Sequence, residues 1–351
     1  MSRNLISLSI AASLLSGTAM ADVPNVAADI APVHSLVARV MQGVGEPALI
    51  VASGASPHEY SLRPSEARAL QEADLVFWIG ADLSPWLEGA IDTLTSDAKV
   101  TELLEVDGTV ELPFRENALF KPHGHDDEAE HDDDHEDHDE ADGHDKDDHD
   151  EHGHEDHDDE AEHDDDHEDH DEADGHEGHN HGEHDPHAWL SPDNGAVWLN
   201  AIAAQLSAAD PENAGAYFAN AAAGRGELAT LSAEINVILD PVRGRNFIVF
   251  HDAYQYFETA FDFPASGAIS ISDAVDPSPA RIADIQARVA EQDVSCVLSE
   301  PQFNPGIVAA VMEGSVANTG VLDPLGSDLE PGQNLYSNVL RNLAISLADC
   351  L

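Results

Sequence analysis

The sequence predicts an α/β protein of two lobes, each built on a parallel β-sheet, with a cleft between them. Short apolar runs alternate with segments in which apolar residues recur at helical spacing. This alternation occurs twice, and a long helical segment separates the two occurrences. Alternating strands and helices are typical of parallel sheets covered by helices. Ligands of such sheets collect at the carboxyl ends of the strands, so we expect a site there.

The first half of the chain contains three predicted strands and two predicted helices. The strands lie at residues 25–28, 48–52 ("ALIVA") and 75–79 ("LVFWI"). Between the first two strands, apolar residues from Val33 to Val44 recur at helical spacing. A second helix is predicted over residues 64–73, with Pro64 in its first turn.

A long helix is predicted in the middle of the chain. Asp210 is its expected N-cap and Pro211 its first helical residue. If it continues to Leu239, it spans roughly 40 Å at 1.5 Å per residue. Gly224 and Gly226 would weaken it by roughly 1 kcal/mol each.

The strand–helix alternation then repeats in the second half. Strands are predicted at residues 246–250, 296–298 and 320–322, and helices at 252–261, 282–289, 305–317 and 336–347. We therefore expect an N-terminal lobe over residues 22–195 and a C-terminal lobe over 241–351. The helical segment 196–240 between them would include the interlobe linker helix.

The N-terminal residues have the pattern of a signal peptide. Arg3 supplies a positive charge, residues 5–15 are apolar, and Ala19 and Ala21 form a small-residue cleavage site. The alternative is a membrane anchor, but this apolar stretch is too short to span a bilayer. We therefore expect residues 1–21 to be removed and the protein to be exported to the periplasm.

Cys296 and Cys350 are the two cysteines of the chain. An even pair in an exported protein predicts a disulfide bond. The alternative is two metal thiolates, but neither cysteine has a nearby Cys or His in the sequence. The bond would join the last helix to the preceding sheet and stabilise the fold by roughly 4 kcal/mol.

A very acidic, histidine-rich segment interrupts the first lobe. The 351 residues carry a formal net charge of −56, and residues 123–186 alone hold 34 Asp or Glu, one Lys and 17 His. Residues 125–144 recur unchanged as residues 157–176, with only two alanines in each copy. Such a repeat cannot bury enough apolar surface to fold, so residues 117–183 are predicted to be a disordered loop. The strong negative charge excludes nucleic acid as a partner.

Few histidines lie outside this segment, and three of them have suggestive positions. His58 follows the strand "ALIVA", His251 follows "NFIVF", and His187 comes directly after the acidic segment. Asp323 and Glu300 also follow predicted strands. Three imidazoles and a carboxylate from different strand ends could meet around one Zn²⁺ ion.

Five motifs in this order resemble the zinc-uptake ABC-transporter substrate-binding proteins, the ZnuA-like family. They are "GASPHEYSLRPSE" at 54–66, "DPHAWLSPDN" at 185–194, "VFHDAYQYF" at 249–257, "SEPQF" at 299–303 and "LDPLG" at 322–326. The resemblance covers nearly all of the mature chain and extends to the His-rich acidic loop. It implies two (β/α) lobes joined by a rigid helix, with a metal ion buried in the interlobe cleft.

The resemblance also implies the metal ligands. His58, His187 and His251 match the three zinc ligands, and Asp323 matches an aspartate that completes many sites of the wider family. Some zinc-binding members have an acidic residue directly before the first histidine, where this chain has Pro57. The fourth ligand is therefore open among Asp323, which we rank first, Glu59 and water. Asp323 could instead be a structural turn residue before a proline.

The remaining noteworthy side chains are expected to have structural roles. His34 has apolar neighbours in a predicted helix, so we expect it to be half-buried, with a place lining the cleft as the alternative. Trp86 and Trp189 are interpreted as packing aromatics.

The resemblance implies a periplasmic receptor that captures Zn²⁺ for an inner-membrane ABC permease and its cytoplasmic ATPase. A periplasmic zinc chaperone is a further candidate partner, and we expect a monomer. The acidic loop is hypothesised to collect or sense zinc, the alternative being a solvating spacer.

Two other functions are weighed against the receptor. A manganese receptor or adhesin of the same fold is disfavoured, because its relatives carry Glu at the position of His251. An exported zinc hydrolase is also disfavoured, since the chain has no HExxH motif and only Glu300 offers itself as a general base. We therefore expect the protein not to be an enzyme.

Overall fold

Two four-stranded parallel sheets form the framework of the part of the chain that the computed structural model describes, residues 23–115, 184–270 and 277–351. The predicted signal peptide and the predicted disordered loop lie outside the described residues. Both sheets are covered by helices, so the predicted α/β class with two parallel-sheet lobes is confirmed.

The first sheet is formed by β1 (Val26–Ala28), β2 (Ala48–Leu49), β3 (Leu75–Trp78) and β4 (Lys99–Glu102). Its strand order is β2-β1-β3-β4. The helices of this lobe are α1 (Ala31–Val40), α2 (Pro64–Gln71) and α3 (Pro85–Leu94). The strand β2 is shorter than predicted, but strand-like bonding continues, because Ile50 N donates to Ala28 O and Val51 N donates to Asp29 O.

Two elements of this lobe lay outside the sequence prediction. β4 reads "KVTE" and contains a single apolar residue, which is too weak a pattern for a strand. It lies at the sheet edge, and none of its residues is fully buried. α3 begins at Pro85, which is a typical first residue of a helix. It was not predicted because its ten residues include Gly89 and too few charged residues to show a polar face.

Two long helices, α4 (Pro192–Ala209) and α5 (Ala214–Leu239), follow the first lobe. α5 has 26 residues, which corresponds to about 39 Å, and it links the two lobes. The predicted start at Pro211 is wrong. Asp210 ends α4 instead, because proline disfavours helical backbone in the residue before it. The Asp210 carboxylate then accepts hydrogen bonds from Asn213 Nδ2 (2.7 Å) and Tyr217 Oη (2.8 Å), which fixes the turn between the helices.

The two glycines of α5 have different surroundings. A Cβ atom at Gly224 would lie 2.9 Å from Cδ1 of Leu199, so the glycine permits α4 and α5 to pack closely. A Cβ atom at Gly226 would meet nothing within 4 Å. Only the first glycine is therefore required by packing.

The second sheet is formed by β5 (Phe247–His251), β6 (Gly267–Ser270), β7 (Cys296–Ser299) and β8 (Asn318–Val321). Its order, β6-β5-β7-β8, repeats the order of the first sheet. The helices are α6 (Gln255–Phe261), α7 (Pro279–Glu291), α8 (Pro305–Val311) and α9 (Leu335–Cys350). The strand β6, "GAIS", is the one strand of this sheet that the sequence analysis did not predict.

A disulfide bond joins Cys296, the first residue of β7, to Cys350, the last residue of α9. This confirms the predicted pairing. The bond lies at the amino end of β7, whereas Glu300 follows the carboxyl end of the same strand.

One apolar core runs through both lobes. It includes residues of α1, α4, α5, β5 and α9. Polar contacts also cross between the lobes, since Tyr336 N donates to Ser35 Oγ (2.9 Å) and Tyr336 Oη donates to Trp189 O (2.8 Å). The lobes are therefore joined by packing as well as by α5. Among the described helices, none has the length and apolar content needed to cross a bilayer.

Candidate metal centre

Three histidines from distant parts of the chain meet in one place. His58 lies in the loop after β2, His187 directly precedes a short 3-10 turn at Ala188–Leu190, and His251 is the last residue of β5. Each offers a ring nitrogen, and these three atoms all lie within 4.8 Å of one another. His187 and His251 are buried, and His58 is half-buried.

The spacing of the ring nitrogens suits a tetrahedral ion. The Nε2 atoms of His187 and His251 are 3.4 Å apart. Zn–N bonds of about 2.0–2.1 Å in a tetrahedral site place two nitrogens about 3.3–3.4 Å from each other. The three ring centroids are separated by 5.2, 5.3 and 6.4 Å, so the rings surround a common point. The donor set therefore fits a zinc ion.

Buried carboxylates orient two of the imidazoles. His187 Nδ1 lies 2.7 Å from Asp185 Oδ1, and His251 Nδ1 lies 2.7 Å from Glu300 Oε1. A carboxylate acceptor favours the tautomer with hydrogen on Nδ1, so Nε2 becomes the metal-binding nitrogen. The backbone N–H groups of both histidines donate to the same carboxylate oxygens. Each ring is therefore fixed in position as well as in tautomer.

Asp185 has an unusual environment for an acid. Burial raises its pKa to about 7, while the backbone N–H of His187 and the positive charge of Arg115 oppose the rise. Sequence reasoning did not identify Asp185 as part of the site. Its position two residues before His187 in "DPH" was the available signal, because this spacing allows the carboxylate to bond both the backbone and the ring of the histidine.

The loop that carries His58 is anchored to α3. The carbonyl oxygen of Pro57 accepts hydrogen bonds from Ser84 Oγ (2.9 Å) and Trp86 Nε1 (2.7 Å). His58 N donates to Ser56 Oγ (3.3 Å). Trp86 thus has the structural role that the sequence analysis expected.

A cavity of about 20 Å³ adjoins the three histidines. Apolar side chains, among them Trp189, Phe303 and Leu325, form much of its wall. The Trp189 indole N–H donates to Pro324 O (2.9 Å), so this ring is a packing element. The cavity has room for a single ion or water molecule.

The structure does not bring the other predicted ligands into the group. Both carboxylate oxygens of Asp323 bind the turn that follows, accepting from the backbone N–H groups of Leu325 (3.2 Å), Gly326 (3.0 Å) and Ser327 (2.5 Å). Glu59 is exposed. A ligand role for either residue stays a prediction.

His34 lies apart from the three-histidine group. It is a buried residue of α1, and its Nε2 lies 3.0 Å from Pro47 O. Burial lowers the pKa of His34, and the neighbouring carbonyl and Glu46 oppose this effect. The expected role as a helix residue fits these contacts, although the side chain is more buried than predicted.

Comparisons with known proteins give a consistent picture. Residues 26–350 match the family model of ZnuA, described as "Zinc-uptake complex component A periplasmic". The chain is 43% identical over 353 residues to the "High-affinity zinc uptake system protein ZnuA" of Brucella abortus, and the match covers 99% of both proteins. It is also 43% identical to the protein of that name from Paracoccus denitrificans, covering 98% of each.

Solved structures support the fold. One described as "Crystal structure of ZnuA" superposes with a TM-score of 0.67 and 21% sequence identity, covering 94% of this chain and 99% of the other.

Proposed function

The chain belongs to the ZnuA family of periplasmic zinc-uptake components, and from this premise we propose that it is a high-affinity zinc receptor. It captures Zn²⁺ in the cleft between its lobes and delivers the ion to an ABC-type permease of the inner membrane, which a cytoplasmic ATPase drives. Zinc is the cargo of this protein. The chain acts as a monomer that is exported after removal of residues 1–21.

The observation that carries this proposal is the group of three imidazoles, His58, His187 and His251. Imidazole nitrogen suits Zn²⁺, whereas Mn²⁺ prefers oxygen ligands. Two of the rings are backed by carboxylates, an arrangement that increases the basicity of zinc-binding histidines.

The fourth ligand position completes the proposal. Asp323 would have to exchange hydrogen bonds of its turn for a bond to the metal, and Glu59 would have to turn inward from the surface. A water molecule needs neither change. If Asp323 is the ligand, then Asp323→Asn weakens zinc binding more than Glu59→Gln does. If water is the ligand, both variants keep the affinity of the parent protein.

Replacing each of the three histidines tests the proposal. His58→Ala, His187→Ala and His251→Ala are each expected to abolish tight zinc binding in the cleft, because each removes one of the three nitrogen ligands. Competition with a chelator of known affinity measures this loss. His34→Ala is the matched control, since it removes a buried histidine outside the group and leaves the zinc affinity unchanged. Unchanged high-affinity binding in all three site variants refutes the assignment.

A further inference from the structure

Arg115 forms the most extensive ion-pair cluster in the described part of the chain, and this cluster lies beside the candidate metal centre. Its Nε atom donates to Asp252 Oδ1 (2.9 Å) and Oδ2 (3.0 Å). Its Nη1 and Nη2 atoms donate to Glu258 Oε2 (2.9 Å) and Oε1 (3.0 Å), and Nη2 also contacts Asp252. The side chains of Asp252 and Glu258 are 7% and 6% exposed, so two buried acids share one guanidinium.

This cluster joins two chain segments that lie next to the site, and a third segment is bonded to the first of them. Arg115 ends the described segment before the acidic loop, and Asp252 directly follows His251. The segments before and after the acidic loop run side by side, because Pro113 and His184 form an antiparallel bridge and Asp185 N donates to Leu112 O (2.8 Å).

Tyr256 connects both of these segments to the second lobe. Leu112 N donates to Tyr256 Oη (2.9 Å), and Tyr256 Oη donates to Asp185 O (2.9 Å). Tyr256 belongs to α6, as does Glu258. The contacts of Arg115 and Tyr256 thus hold the segment that leads to His187 against the segment that follows His251.

A cation at this location opposes the binding of another cation. The field of a guanidinium repels Zn²⁺, so electrostatics alone would favour a neutral residue in place of Arg115. The arginine does neutralise two buried acids, Asp252 and Glu258, which would otherwise be buried without a partner for their charge. Its planar group with five N–H donors can bind two carboxylates at once, which a lysine cannot reproduce.

We propose that Arg115 is a positioning residue of the metal centre, which holds His187 and His251 at the separation that a tetrahedral ion requires. It does so by binding Asp252 and Glu258 and so fixing the second lobe against the base of the acidic loop. This inference rests on the proposed zinc-binding function, since the distance that Arg115 sets matters only if these histidines share an ion.

The direction in which zinc affinity changes in Arg115→Gln distinguishes a positioning role from a purely electrostatic role. Arg115→Gln removes a positive charge, so an arginine that acts only through its field predicts tighter zinc binding in the variant. Positioning predicts weaker binding, by at least tenfold in a competition titration with a chelator. Arg115→Lys keeps the charge without the paired geometry and should recover only part of the affinity. Arg341→Gln is the matched control, because Arg341 binds Glu234 through two bonds on the surface between α9 and α5.

A spectroscopic measurement separates positioning from a loss of stability. One equivalent of Co²⁺ added to the full-length protein should give the intense visible bands of a tetrahedral site. In Arg115→Gln these bands should weaken, because a loosened site admits further ligands, and in Arg341→Gln they should stay unchanged.

Three results overturn the inference: unchanged affinity, tighter binding, or an unaltered cobalt spectrum in Arg115→Gln. If Arg115→Gln does not fold, Arg115→Lys and Glu258→Gln are judged by the same criteria. Failure of the proposed function itself would look different, because the parent protein would then lack the tetrahedral cobalt bands.

Discussion

At the scale of single residues, the candidate site depends on two buried acids that orient its histidines. Glu300 accepts from the ring and the backbone of His251, and Asp185 does the same for His187. The resemblance of the motifs to a known family predicted which histidines would converge, whereas positions after strands indicated only that they could meet. The sequence did not predict their carboxylate partners, since the bond between His251 and Glu300 joins positions 49 residues apart.

Replacing Glu300 by glutamine should weaken zinc binding 10- to 100-fold without unfolding the protein. Glutamine still offers an oxygen to His251 Nδ1, but it lacks the negative charge that increases the basicity of the ring. A chelator competition titration measures the effect. Glu102→Gln is the control, because Glu102 is a half-buried acid of β4 that bonds Ala81 N. Equal affinities for the parent protein and Glu300→Gln would contradict this role.

Asp29 should make stability depend on pH. It lies directly after β1, is 1% exposed, and accepts hydrogen bonds from Ile30 N and Ile79 N (both 2.7 Å). Burial raises its pKa from 3.8 to about 7, and these backbone bonds oppose the rise. Between about pH 4 and pH 7 the folded state therefore holds a proton that the unfolded state has lost, so rising pH lowers the free energy of unfolding.

The variant Asp29→Asn removes this titration. The free energy of unfolding of the parent protein, minus that of the variant, should fall as pH rises from 5 to 7. The decrease can reach about 1.4 kcal/mol per pH unit. Urea denaturation at several pH values measures it, and taking the difference cancels the many acids common to both proteins. A difference independent of pH would show that Asp29 does not titrate in this range.

At the scale of helices and strands, the prediction succeeded where local signals were strong. β3 is a buried apolar run, and α2 begins with proline at its first turn, as expected. β4 and β6 were not predicted, because such short strands are stabilised by pairing with the neighbouring strands β3 and β5. The local sequence pattern does not reveal this pairing. The start of α5 was predicted too early, because Asp210 caps the end of α4 and Pro211 lies in the turn before α5.

The two glycines of α5 allow a paired test of helix packing. Gly226→Ala should stabilise the protein by about 0.5–1 kcal/mol, because alanine loses less backbone entropy in a helix and its methyl group meets no neighbour. Gly224→Ala should lose this gain or destabilise the protein, since its methyl group would press on Leu199. Urea denaturation compares the variants. Equal stabilisation by both substitutions would mean that α4 and α5 tolerate a wider separation.

At the scale of the whole molecule, the order of strands and helices was sufficient to predict two lobes and a cleft. The size of the cavity, the core that both lobes share and the Arg115 cluster could not be predicted. Each of these depends on contacts between side chains far apart in the sequence. The acidic insert is the remaining feature at this scale, and its role is a proposal that binding measurements can test.

Deleting residues 117–183 should leave one tight zinc site and remove the weaker ones. The three proposed ligands lie outside the deletion, whereas most histidines of the chain lie within it. Calorimetry measures the stoichiometry, and transfer from a zinc chaperone measures the rate of capture. Deleting only residues 125–156 retains one copy of the repeat and should give an intermediate stoichiometry. If stoichiometry and transfer rate are both unchanged in the full deletion, the insert is a spacer.

The repeated strand order has a consequence for the symmetry of the site. The sheets β2-β1-β3-β4 and β6-β5-β7-β8 have one topology, yet His58 follows the second strand of its lobe and His251 ends the first strand of its own. Two identical half-chains related by a twofold axis would have to provide their ligands in pairs. Two such identical halves could not provide an odd set of three imidazoles, and the two halves of this chain do differ at this position, because Asp29 follows β1 whereas His251 ends β5.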